Sequence, residues 1–229
     1  KKIANLTLGG CVPFEGVFRK DIVQINNENC ENFNKNVENI LLDSNTKPET
    51  LIISAAWSLY FYGSNYFNNH DYVDDFEDMR LFINSKNHNN NLDSDRIKKL
   101  SEIFYEEVIK YKDNFEKIYV IGPMPYLPST LNKSVDRLLS GIEGIKLEDF
   151  QNENKEILMV LKELDKIVNI NVFYPHLVMC DKKDSTQSFT KMCSTLYEDK
   201  YYYGDRLHFS DYGAEIVIGN FFREIAINN

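Results

Sequence analysis

Apolar residues recur at three- and four-residue steps in several stretches of the chain. The clearest is Asp95 to Phe115, where Ile97, Leu100, Phe104, Val108 and Tyr111 line one side opposite a charged face. That spacing predicts an amphipathic helix. Asn154 to Val168 repeats it with Ile157, Val160, Leu161, Leu164 and Ile167, and Cys30 to Asp43 with Phe33, Val37, Ile40 and Leu41. A last helix is expected from Tyr212 to Ile227. Between these lie short, nearly continuous apolar runs: Leu51 to Trp57, Lys117 to Ile121 and Ile170 to Tyr174. They read as strands buried on both faces. Lys2 to Leu8 alternates enough to be a further strand, closed by Gly9-Gly10, and Lys117–Ile121 is closed by Gly122-Pro123. Strands alternating with helices, both apolar, predict an α/β fold with a central parallel sheet covered on both faces. No internal repeat and no linker rich in Pro, Gly or Ser divides residues 1–229, so one domain is expected.

The remaining segments read as connections. Cys11 to Cys30 carries Pro13 and Gly16 and mixed polarity, which suggests a loop. Residues 64–93 hold Asn clusters and many acids, an exposed excursion in which only Met79 to Ile83 is expected to pack. A loop through Pro125 and Pro128 leads to a short helix near Ser134 to Leu139. Functional groups of a parallel sheet gather where strands end. Here those ends are Gly9-Gly10, Trp57, Gly122 to Pro125 and the loop holding Asp205 and His208, all expected at one edge.

Bulk composition narrows the partners. A formal net charge of -9 argues against nucleic acid and anionic membrane surfaces as partners. The longest apolar run, Leu51 to Tyr62, is too short to span a bilayer. The four cysteines form two sequence-local pairs, Cys11 with Cys30 and Cys180 with Cys193, and no Cys-x-x-Cys or zinc spacing occurs. Two disulfides stapling long loops in an oxidising compartment is the economical reading. Four free buried thiols in a reducing one is the alternative.

The segment Asp205-Arg206-Leu207-His208-Phe209-Ser210-Asp211-Tyr212-Gly213-Ala214 carries the candidate chemistry. A general-base histidine needs one ring nitrogen toward a nucleophile and the other held by an acceptor, which a carboxylate three residues earlier on a turn can supply. Ser210 or Asp211 would cap the helix that follows. The bland alternative is a packing histidine beside a solvated Asp. No Gly-Asp-Ser and no Gly-x-Ser-x-Gly occurs in the chain, and Ser54, Ser58 and Ser64 are the internal serines near a strand end. Asp205 and His208 with His176 form the weakest candidate, a metal site without defined spacing. No cofactor is expected.

Taken in order, the motifs resemble those of SGNH domains fused behind membrane-embedded acyltransferase-3 domains. The matching residues are Gly10-Cys11-Val12-Pro13, Cys30, the strand Leu51 to Ala56 running into Trp57, Gly122-Pro123-Met124-Pro125, Cys180, Cys193 and Asp205 through Ala214. The resemblance implies a three-layer SGNH-hydrolase-like sandwich with flavodoxin-like topology, whose first strand and Gly-Asp-Ser block precede Lys1. It further implies a periplasmic or otherwise extracytoplasmic location, tethered to the inner membrane by an upstream domain that delivers the acyl donor. The implied reaction is transfer of an acyl group, usually acetyl, to hydroxyls of a cell-envelope polysaccharide. By the resemblance His208 is the general base and Asp205 its orienter. Gly10 stands where the oxyanion-hole glycine falls, and Trp57 about where an oxyanion-hole Asn falls in related enzymes. Net hydrolysis of acylated glycans uses the same triad with water as acceptor. A non-catalytic glycan-binding module, stacking sugars on residues 60–62 and 201–203, is the reading from another class.

Overall fold

The computed structural model describes residues 4–8, 11–19, 24–43, 49–62, 81–83, 93–125, 144–180, 192–194, 196–197, 200–204 and 208–227. The elements in chain order are β1 (Val17–Arg19), α1 (Gln24–Leu42), β2 (Thr50–Ser54), α2 (Trp57–Tyr62), β3 (Leu81–Ile83), α3 (Asp93–Ile109) and β4 (Lys117–Ile121). They continue with β5 (Gly144–Lys146), α4 (Leu147–Glu153), α5 (Lys155–Leu164), β6 (Ile170–Phe173), α6 (Pro175–Cys180), β7 (Met192–Ser194), β8 (Leu196–Tyr197), β9 (Lys200–Tyr201) and α7 (Asp211–Ile227). This is an α/β fold with a central parallel sheet flanked by helices. The described residues fall into two compact units, one of residues 1–64, 75–121 and 156–172, the other of residues 65–74, 122–155 and 173–229.

The first unit holds the parallel sheet, in the order β2-β4-β6. β2 and β4 run parallel with Leu51 opposite Ile118 and Ile53 opposite Val120. β4 takes the central position, and Ile118, Tyr119 and Val120 are buried as a continuous apolar run requires there. The Ile118 N–H donates to the Asn169 carbonyl at 2.8 Å. β2 alternates between half-buried and exposed positions, and Ile52 is 45% exposed. The strand is therefore not buried on both faces as its apolar run suggests: among the described residues it is the outer strand of this sheet, so its apolar character is only partly covered.

The helix periodicities translate into burial directly. α3 buries Leu100, Phe104 and Val108, and α5 buries Ile157, Leu158, Leu161 and Leu164. α1 is longer than expected, starting inside the stretch read as a loop, and its Asn34 amide donates to the carbonyls of Val12 and Phe14, each at 2.9 Å. The Cys11–Cys30 disulfide joins the same helix to the same N-terminal stretch. That stretch also contains β1, which pairs antiparallel with β3. Gly16, with φ of +70°, makes the left-handed turn into β1 that other residues adopt at a cost. Ala4 to Leu8, expected to be a strand, carries no strand assignment. Buried Arg96 donates to the carbonyls of Phe61 (2.6 Å) and Leu81 (3.0 Å), satisfying acceptors at the end of α2 and in β3.

In the second unit, β5 pairs antiparallel with β7 and β8 with β9. α6 begins with Pro175, a residue whose missing N–H costs nothing at a first helical position. Its last residue, Cys180, is bonded to Cys193 in β7. The cysteines are thus paired as the economical reading had them, and no free cysteine remains. The short helix expected near Ser134 to Leu139 lies outside the described residues, as does most of the 64–93 excursion.

Candidate active site

The segment around His208 is built as a closed loop. β9 ends at Tyr201, and Tyr203 and Phe209 then face each other in an antiparallel bridge. Their rings lie 5.3 Å apart. Gly204 N–H donates to the His208 carbonyl and Ser210 N–H to the Tyr202 carbonyl, each at 2.9 Å. These bonds hold Gly204 and His208 against each other, and His208 is exposed. Gly10 and Asp205 lie outside the described residues.

Ser210 does the double service that its position suggests. Its hydroxyl donates to the Tyr201 carbonyl at 2.6 Å and accepts the Gly213 N–H at 3.0 Å. The second bond is an N-cap, satisfying one of the amides that a helix start leaves without a partner. The first ties the cap back to the strand. Gly213 is forced by the same packing: a β-carbon there would lie 1.9 Å from the Tyr202 carbonyl oxygen. Helix α7 can approach the Tyr202 backbone only because this position has no side chain.

The tyrosines preceding the loop are mostly structural. Tyr202 and Tyr203 are buried, and Tyr201 is half-buried. Burial, reinforced by the neighbouring Tyr212, pushes the Tyr202 phenol up to about 12, so it keeps its proton at neutral pH. The Tyr203 hydroxyl donates to the Pro125 carbonyl and lies 3.8 Å from Met179 Sδ. Pro125 belongs to the Gly122–Pro125 stretch that follows β4, and Gly122 N–H donates to the Phe173 carbonyl at 2.8 Å. Two of the strand ends picked out in the sequence, Gly122–Pro125 and the His208 loop, are thereby brought together. The triple-tyrosine run gave no sign of this, because nothing in its spacing says which hydroxyl turns inward.

Trp57 sits in the first unit and is wholly buried. Its ring packs against Phe14 at 5.5 Å and Phe104 at 4.7 Å. Its indole N–H donates to the Ile121 carbonyl at 2.6 Å, joining the start of α2, just past β2, to the end of β4. An oxyanion donor must aim its N–H at the reacting carbonyl, and this N–H is already engaged. Tyr60 and Phe61 are also buried, which removes their faces from sugar stacking. Of the internal serines, Ser54 is exposed at the end of β2, Ser58 is fully buried in α2, and Ser64 lies outside the described residues. His176, weighed as a metal ligand, is buried beside the rings of Phe150 and Tyr174 at 4.9 and 5.7 Å.

What this arrangement can do chemically follows from the loop. An exposed histidine on a short loop closed by backbone bonds, followed by a capped helix, is held in place without being sealed from solvent. Among curated proteins and among solved structures nothing matches the chain. The family model described as the SGNH domain fused to AT3 domains, AT3 denoting acyltransferase-3, matches residues 1–223. That match spans the disulfides, both strand-end ties and the His208 loop, and the chain belongs to this family of SGNH domains.

Proposed function

We propose that this domain completes the transfer of an acyl group, acetyl in the simplest case, to a hydroxyl of a cell-envelope polysaccharide. The observation that carries the reading is the placement of exposed His208 on a closed loop bonded to the Gly122–Pro125 strand end. In this reading His208 takes the proton from a serine Oγ as that oxygen attacks the acyl carbonyl carbon. The proton passes to the departing group of the donor as the tetrahedral intermediate collapses. A sugar hydroxyl then attacks the acyl-serine, giving its proton to His208, which returns it to the serine. Asp205 holds the far imidazole nitrogen, and the Gly10 N–H faces the oxyanion. The serine comes from polypeptide outside residues 1–229.

Family membership supports acyl-transfer or esterase-type chemistry on glycans and a fused acyltransferase domain as the source of the acyl group. The two disulfides support an extracytoplasmic location. No helix among the described residues is long and apolar enough to cross a membrane; the fused acyltransferase domain supplies the tether in this reading. A second reading, a glycan-binding module without a nucleophile, is favoured by two observations: residues 1–229 hold no Gly-Asp-Ser, and Ser58 is buried. Labelling the full polypeptide with a serine-reactive phosphonate tests the two. A covalent adduct on a serine outside residues 1–229, lost in His208→Ala, is the expected result. Glycan binding with no adduct favours the module. Supplying an acyl donor with and without a sugar acceptor then separates transfer from hydrolysis.

A further inference from the structure

We infer that Tyr203 is a positioning residue, holding the His208 loop in register with the strand end after β4. The inference rests on the reading of His208 as general base. Three observations place Tyr203 at the root of the loop rather than merely in a core. It is bridged to Phe209, the residue next to His208, and the two rings pack together. It directly precedes Gly204, whose N–H closes the loop on the His208 carbonyl. Its hydroxyl, though the residue is only 2% exposed, donates to the Pro125 carbonyl.

The loop has a second support, Ser210, but the two act in different directions. Ser210 ties the loop's exit to β9 and to α7, elements adjacent in sequence. Tyr203 carries a side-chain bond from the root of the loop to Pro125, 78 residues away in sequence. With that hydroxyl removed, the loop keeps its closing backbone bonds and its cap but loses this tie to Gly122–Pro125. His208 is then free to shift relative to Gly122–Pro125. Displacements of about 1 Å at a reacting group are enough to slow catalysis on the order of a hundredfold. Met179 Sδ, a weak acceptor 3.8 Å from the hydroxyl, does not replace the carbonyl.

The test is Tyr203→Phe in the full polypeptide, which keeps the ring against Phe209 and removes only the hydroxyl. Amide exchange read by mass spectrometry on the segment 201–213 is expected to quicken by about tenfold, with the peptides of α3, β4 and α5 unchanged. Acetate on the envelope polysaccharide is expected to fall by about tenfold or more at equal protein. Unchanged exchange in segment 201–213 overturns the inference. So does faster exchange spread over all peptides, which makes Tyr203 an ordinary core residue, or local loosening with acylation at the level of the unsubstituted protein. His208→Ala runs alongside: if that variant acylates normally, the base assignment fails, while the exchange measurement still decides whether Tyr203 orders the loop.

Discussion

A β-carbon on Gly213 would stand 1.9 Å from the carbonyl oxygen of Tyr202. The third residue of helix α7 and the backbone that leads into the His208 loop are therefore in direct contact, and their spacing admits only hydrogen. Gly213→Ala is expected to push the helix start from the strand, lengthening the Ser210 N–H bond to the same Tyr202 carbonyl. We predict a loss of about 2 kcal/mol, the usual scale for overpacking against backbone, measured by denaturant unfolding.

Trp57 gives a second prediction. Trp57→Phe retains an aromatic ring between Phe14 and Phe104 but removes the donor that the Ile121 carbonyl uses and leaves a void. The combined cost is expected at about 2–4 kcal/mol. If Trp57 acts only through structure, as its burial indicates, the surviving folded protein keeps its acylation activity. Activity lost out of proportion to folded protein would return Trp57 to the reacting centre.

The disulfides make a third. Peptide mapping without reduction should find no alkylatable thiol, with Cys11 joined to Cys30 and Cys180 to Cys193. Replacing Cys180 and Cys193 together by Ser opens a short loop and is expected to cost about 3 kcal/mol of stability.

Glu153 supplies a pH dependence. Burial, and then the nearby Asp149 carboxylate, raise its folded value to about 7 from the usual 4.5. Folding therefore favours the protonated form. Below about pH 4.5 both states hold the proton and Glu153 exacts no penalty. Between there and about 7 the unfolded chain releases it first, so stability declines as pH rises, and above 7 the decline is complete. The group is only half-buried, so the full shift overstates the effect and about 1 kcal/mol is the appropriate scale. Glu153→Gln is expected to raise the melting temperature at pH 8 and to leave it unchanged at pH 4.

The parts of the fold written in periodicity were legible. α3 and α5 show their buried faces as three- and four-residue spacing, and β4 as an apolar run, because burial selects for residue type along one short element. The cap was legible as Ser210 or Asp211, since a short polar side chain ahead of a helix start has a local cause, and the structure assigns it to Ser210. β5 and β7 escaped notice because each is a three-residue strand whose partner lies tens of residues away. The start of α1 was hidden by its polar first turns, Gln24 to Glu28, which carry little apolar signal. In the candidate site the sequence marked Asp205 and His208 but not their supports. The bonds of Tyr203 to Pro125 and Trp57 to Ile121 run from side chains to backbone carbonyls. A backbone acceptor leaves no residue-type signature, so such partners cannot be read from composition or spacing.

The most direct test of the account is the acetate content of envelope polysaccharide in cells making the full polypeptide, unsubstituted or as His208→Ala, at matched protein level. A general base acting on serine predicts a fall of about a thousandfold or more, to background, with the protein folded and both disulfides intact. Acetate at the level of the unsubstituted protein would contradict the assignment of His208 and with it the proposed chemistry.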